Sequence, residues 1–131
     1  MFCACLKTEE ASCMQIDKKA RSEKRARRVR SRVVGTSERP RLSVKFSNKH
    51  IYAQCINDEI GHTLVFLSTV GKSSSGRVLP NVDGAMSFGK SFGQKAVGVG
   101  IKSVVFDRGS RKYHGVVKAF ADAVRSEGVL F

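Results

Sequence analysis

From residue 41 to residue 56 the apolar side chains recur at every second position, and this alternation restricts the fold more than any other feature of the chain. In RLSVKFS, Leu42, Val44 and Phe46 fall on one side of an extended backbone and Ser43, Lys45 and Ser47 on the other, which is the pattern of a half-buried strand. Asn48-Lys49 makes a short turn into HIYAQCI, where Ile51, Ala53 and Cys55 share one face and Tyr52, Gln54 and Ile56 the other. NDEIG forms a second turn, and HTLVFLSTV makes a third strand. Three consecutive strands with short connections imply an antiparallel meander with one apolar face in need of cover.

The rest of the chain supplies that cover. Residues 71–84, GKSSSGRVLPNVDG, are rich in Gly and Ser, contain Pro80 and read as a loop. Ala85, Phe88, Gly89, Phe92 and Ala96 then show helical spacing, although Gly89 and Gly93 each cost a helix about 1 kcal/mol relative to Ala, so packing has to hold this element. Gly98 or Gly100 can supply its left-handed cap. IKSVVFD is a short β-branched strand, DRGSRKYHG a loop, and VVKAFADAVRSEG a helix with Val117, Phe120, Ala121 and Val124 on one stripe, ending at Gly128. Ahead of the meander, residues 17–34 lack Pro and Gly and are rich in helix formers; Gly35 is expected to end that helix and TSERP to connect it to the first strand. The order is basic helical arm, three-stranded meander, helix, strand, helix: an α/β layer with helices packed on a sheet. We divide it into a leader (residues 1–16), a basic arm (17–41) and a globular domain (42–131).

Charge points to a partner. The 131 residues carry 24 Lys and Arg against 11 Asp and Glu, a net +13. Residues 18–32 alone hold nine cations and one acid: Lys18, Lys19, Arg21, Lys24, Arg25, Arg27, Arg28, Arg30 and Arg32 against Glu23. A helix would put Arg21, Lys24, Arg25, Arg28 and Arg32 on one face, where like charges repel, so the segment is expected to fray alone and order on a polyanion. Neutralising phosphates with Lys and Arg releases condensed counterions, which makes nucleic acid the first candidate and an anionic membrane the second. Only Ala20, Ala26 and Val29 are apolar in this segment, too few for interfacial insertion. The longest apolar run, Leu64 to Leu67, is far short of a membrane span. MFCACLKTEE lacks the layout of a secretory signal, and Glu9 and Glu10 argue against an Arg-rich presequence, leaving a cytosolic protein as the default.

The cysteines form no framework. Cys3, Cys5 and Cys13 lie near the start, Cys55 lies inside the alternation, and the nearest histidine is His50, a poor match to zinc-ligand spacing. Neither metal nor cofactor is expected. Met14 could itself be the start of translation, which would make residues 1–13 a misplaced gene start; otherwise the leader reads as disordered.

FDRGSRKYHG is the densest group of functional side chains. Used as an enzyme site, it would pair His114 as a base with Asp107 as its orienting partner, but no nucleophile elbow surrounds Ser110 and no set of carboxylates converges for two metals. Binding uses the same residues with less strain. Arg108, Arg111 and Lys112 can neutralise phosphates, Tyr113 and His114 can stack on unpaired bases, and Asp107 can hold an arginine in place. A structural alternative has Tyr113 packing and His114 capping the last helix. The first hairpin repeats the theme, with Arg39, Arg41, Lys45, Lys49 and His50 along one side and Tyr52 and Gln54 projecting.

RPRLSVKFSNKHIYAQCIND, STV and GIKSVVFDRGSRKYHGVVKAFADAVRSEGVLF together closely resemble the bacterial type of large-subunit ribosomal protein eighteen, over residues 17–131. The resemblance implies a non-enzymatic protein that binds 5S rRNA and attaches it to 23S rRNA in the central protuberance of a cytoplasmic ribosome, beside ribosomal protein five. It also implies RNA contacts at Arg39, Arg41, Asn48, Lys49, His50, Tyr52, Gln54, Ser68, Thr69, Arg108, Lys112, Tyr113 and His114, besides the arm. One departure concerns Arg111: the family carries an aromatic there and an arginine after KYHG, where this chain has Val116.

Overall fold

A computed structural model of the protein describes residues 7–70 and 78–131, with side chains described from residue 17 onward. Its elements are α1 (Lys7–Arg30), β1 (Arg41–Phe46), β2 (Ile51–Asn57), β3 (His62–Ser68), α2 (Val82–Gly98), β4 (Val105–Asp107) and α3 (Val116–Ser126). The four strands form one sheet in the order β3-β2-β1-β4. β1 pairs antiparallel with β2, β2 antiparallel with β3, and β4 adds parallel to β1. The meander and the α/β class are as the alternation implied.

Period two fixes the faces. Leu42, Val44, Phe46, Ile51, Ala53, Cys55 and Val65 are buried and meet Phe88, Phe92, Phe120 and Val124 from α2 and α3. Phe120 is the hub, with Phe46, Phe88 and Phe92 all within 6.3 Å between ring centroids. The opposite face carries Lys45, Tyr52, Gln54 and Phe66, with Lys45 across from Tyr52 and Gln54 across from Phe66.

The glycines of α2 have a packing cause. A Cβ at Gly89 would lie 2.8 Å from the Ala123 Cβ and 2.9 Å from the Phe120 carbonyl oxygen; at Gly93 it would lie 2.7 Å from the Glu127 Cβ. Absent side chains at these two positions let α3 approach closely, and the contact offsets their weak helix propensity. The cap of α2 falls at Gly100 (φ 89°), not Gly98. Gly100 N–H donates to Val97 O and Ile101 N–H to Ala96 O, which satisfies two terminal carbonyls.

Three boundaries differ from expectation. The arm helix starts at Lys7 and ends at Arg30, before the expected Gly35 stop. Gly35 serves a different purpose: its N–H donates to the Asp58 carboxylate, its carbonyl accepts from Asp58 N–H, and a Cβ there would sit 2.5 Å from the Arg41 nitrogen. β4 covers only the end of IKSVVFD, because Val104 N–H donates to Leu130 O and Leu130 N–H to Lys102 O, pairing this stretch with the C-terminal residues. The leader expected for residues 1–16 falls outside the described side chains, and residues 1–6 outside the described residues altogether.

Candidate nucleic-acid interface

One end of the sheet gathers most of the candidate residues. β1, β3 and β4 finish there and β2 begins there, so the Ser47–His50 turn, Ser68-Thr69 and the loop after Asp107 are brought together. The turn is closed by Ser47, whose N–H and hydroxyl both donate to His50 O at 2.9 Å, leaving Asn48 and Lys49 exposed. Thr69 joins from β3: its hydroxyl accepts from Ile51 N–H at 2.9 Å and lies 3.4 Å from His50 Nδ1. From the other side, Arg111 Nη2 donates to Phe46 O at 3.0 Å while its guanidinium sits 5.6 Å from the Phe46 ring centroid. Arg111 thus ties the loop to the hairpin.

Within the loop, Gly109 adopts φ 59° and donates its N–H to Asp107 Oδ1 at 2.8 Å, and Arg108 Nη1 donates to Arg111 O at 2.7 Å. Lys112, Tyr113 and His114 are exposed beyond this brace. Tyr113 does pack, edge-on to Phe106 at 6.0 Å, yet remains 40% exposed. No side chain caps α3, whose N-cap is Gly115 at φ 56°, so His114 is not spent as a cap.

The arm presents all nine cations of residues 18–32 to solvent. Its last turn comes back to the sheet: Arg30 Nε is 3.9 Å from Asp107 Oδ2. Between them opens a groove of about 480 Å³, with Arg28, Arg32 and Arg108 on its walls and Val29, Val33 and Phe106 also lining it. This groove joins the arm to the loop in one cationic surface.

Two hairpin arginines are placed elsewhere. Arg41 is 8% exposed, and its guanidinium is used internally: Nε and Nη2 donate to the two Asp58 oxygens at 2.8 and 2.7 Å, and Nη1 to Asp107 Oδ2 at 3.2 Å. Arg41, expected among the RNA contacts, has all three guanidinium nitrogens bonded to two carboxylates and serves as a structural cation in the fold. Its guanidinium holds the Asp58 carboxyl at about 2, while the Asp58 bond raises the pKa of Arg41. Arg39 stays exposed at the far end of β1, with Nη2 3.4 Å from Val104 O. Asp107 holds an arginine as the sequence suggested; being committed to Arg41 and Gly109, it makes no bond to His114, and the acid–base pair of an enzyme reading is not formed.

Tyr52 and Gln54 lie on the open face, half-buried. Phe66, 58% exposed beside Gln54, was not singled out by the sequence, whose third strand reads as continuously apolar; its facing follows only from the pairing register. Asp58 and Arg125 were missed because their partners are remote in sequence. Among the described residues no group of three or more His, Cys, Asp or Glu could hold a metal, and no helix is long and apolar enough to cross a membrane.

Fold and surface together define a strongly cationic α/β protein whose chemistry-bearing groups suit a polyanion. A family model described as ribosomal L18 of archaea, bacteria, mitochondria and chloroplast matches residues 16–131. The chain is 51% identical over 121 residues to large ribosomal subunit protein uL18 of Thermotoga neapolitana, covering 88% of this chain and 99% of that protein. It is 53% identical over 116 residues to uL18 of Thermotoga petrophila (87% and 95% covered) and 50% identical over 115 residues to uL18 of Bacillus cereus (88% and 96%). The chain belongs to the ribosomal L18 family, a family of ribosomal structural proteins and not of enzymes.

Proposed function

We propose that the protein is a structural constituent of the large ribosomal subunit that binds 5S rRNA and attaches it to 23S rRNA in the central protuberance, next to ribosomal protein five, in the cytoplasm. The observation that carries this reading is the convergence of the hairpin turn, the end of β3 and the loop after β4 at one end of the sheet, continuous through the Arg28–Arg108 groove with the arm. Phosphate contacts from the arm supply affinity without sequence information, and the rigid loop with its exposed Tyr113 and His114 supplies selection. The proposed contacts are Lys18, Lys19, Arg21, Lys24, Arg25, Arg27, Arg28, Arg30, Arg32, Arg39, Asn48, Lys49, His50, Tyr52, Gln54, Ser68, Thr69, Arg108, Lys112, Tyr113 and His114, with Arg111 bracing them.

Binding of the full chain to 5S RNA and to an unrelated structured RNA of equal length, across a salt series, tests this. Preference for 5S RNA at every salt, with both affinities falling steeply, is the expected result. Equal affinities would remove the 5S assignment.

A further inference from the structure

Arg125, on the exposed side of α3, makes more contacts than a surface cation needs. Its Nη1 donates to the Tyr113 hydroxyl at 3.0 Å and reaches Asp122 Oδ1 at 3.3 Å, while Nη2 donates to Phe131 O at 3.3 Å. The same guanidinium covers the Phe131 ring, 4.5 Å from its centroid. Phe131 stacks on Phe106 at 5.3 Å with 14° between the planes, and Phe106 takes the edge of Tyr113 at 6.0 Å and 83°. The four side chains close a ring: Tyr113, Phe106, Phe131, Arg125.

We propose that Arg125 is a positioning residue for the RNA interface, acting through this ring to hold Tyr113 ready for an unpaired base. The inference rests on the RNA-binding reading above. Backbone bonds close short turns in the loop, Arg111 N–H to Arg108 O at 3.3 Å and His114 N–H to Lys112 O at 3.0 Å, but they set the backbone and not the direction of the Tyr113 ring, which is held by its side-chain partners Phe106 and Arg125. Accepting a bond from Arg125 leaves the Tyr113 hydroxyl hydrogen free to donate to a ribose hydroxyl or phosphate oxygen, while the exposed ring offers its surface to a base. A planar fork is needed to serve the Tyr113 hydroxyl, the Phe131 carbonyl and the Phe131 ring at once; a lysine ammonium cannot do so.

The test uses the full chain and its Arg125→Ala, Arg125→Lys, Tyr113→Ala and Arg125→Ala/Tyr113→Ala variants. These substitutions leave the buried side of α3, Val117, Phe120 and Val124, untouched. Base stacking lost on alanine substitution corresponds to a drop of about 5- to 160-fold in affinity. Arg125→Ala and Arg125→Lys are both expected to lose on that order for 5S RNA, with binding of unrelated RNA and the salt slope unchanged, and the double variant is expected to bind no worse than Tyr113→Ala. In the free protein, Arg125→Ala should also lose the Tyr113–Phe106 ring contact seen by NMR. Wild-type behaviour of Arg125→Lys, a salt slope reduced by about one, or additive losses would show a direct phosphate contact and overturn the proposal. An intact ring contact in Arg125→Ala would overturn it as well. That NMR readout needs no RNA, so the ring is judged separately even if the wild type fails to prefer 5S RNA.

Discussion

Arg41 and Asp58 form a two-pronged pair, Nε to Oδ2 at 2.8 Å and Nη2 to Oδ1 at 2.7 Å, that ties the start of β1 to the turn after β2. Asp107 from β4 accepts from the third guanidinium nitrogen at 3.2 Å, so one cation links three strands. Removing it leaves the buried Asp107 without its closest cation, since Arg30 is 3.9 Å away and 67% exposed. Arg41→Ala is expected to lower unfolding stability by about 3–5 kcal/mol in urea titrations, the usual cost of breaking a buried pair. A loss under 1 kcal/mol would mean that the network does not hold the strands.

The same pair sets an acid limit. Asp58 titrates at about 2 in the fold against 3.8 unperturbed, chiefly through its bond to Arg41. A depressed carboxylate contributes stability that is fully present above its unfolded value and is lost as pH falls through its folded one. The window therefore runs from about pH 4 down to about pH 2. Its contribution is on the order of 2 kcal/mol at most, because the side chain remains 28% exposed and solvent screens it. Urea midpoints taken between pH 5 and pH 2 should fall less steeply for Asp58→Asn than for the wild type.

How legible this was in the sequence varies by element. Alternation from Leu42 to Cys55 and the Val117–Val124 stripe read directly onto buried faces, because each depends on local periodicity alone. The site loop was legible as chemistry, and Asp107 as an arginine holder. What was not legible was which arginine is held: Arg39 and Arg41 look alike in RPR, and only the register that places Arg41 across from Val105, with Asp107 two residues on, separates the exposed one from the buried one. Arg125 lies 12 residues from Tyr113, and nothing local links them. The stop of α1 is not legible for a related reason, since Gly35 is required by its neighbours Arg41 and Asp58 and not by the helix.

Gly89 and Gly98 both sit in α2 and should respond oppositely to the same substitution. Gly89→Ala gains helix propensity but drives a Cβ to 2.8 Å from the Ala123 Cβ and 2.9 Å from the Phe120 carbonyl, and overpacking of this kind costs about 1–3 kcal/mol. Gly98→Ala meets nothing within 4 Å, so it keeps a gain of about 0.5–1 kcal/mol. Thermal midpoints should fall for the first and rise for the second. A rise for both would mean that α3 withdraws freely from α2.

Cys55 is wholly buried, and burial pushes its thiol up to about 12. Thiolate, not thiol, is the reactive form, so this cysteine should be silent toward alkylating reagents at pH 8 while the sheet is intact. In a variant with Cys3, Cys5 and Cys13 replaced by Ser, labelling in native buffer is expected to proceed only as fast as the protein opens and to become complete within minutes in 6 M urea at pH 8. Rapid native labelling would place β2 outside a stable core.

The arm and the loop should separate in a salt series. All nine arm cations are exposed, and Arg30 alone of them lies within ion-pair distance of an acid among the described side chains, 3.9 Å from Asp107, so Arg21, Lys24, Arg25 and Arg28 face solvent where a phosphate can reach them. Replacing Arg21, Lys24, Arg25 and Arg28 with Gln keeps good helix formers in place and removes four charges from one helix face. If all four contact duplex phosphates, the slope of log affinity against log salt should become shallower by about 0.9 for each, or about 3.6 in total. That change should be the same for 5S RNA and for an unrelated RNA, leaving the ratio of the two affinities unaltered, because phosphate contacts position the protein without reading sequence. A changed ratio with an unchanged slope would assign selection to the arm and would take it away from the loop after β4.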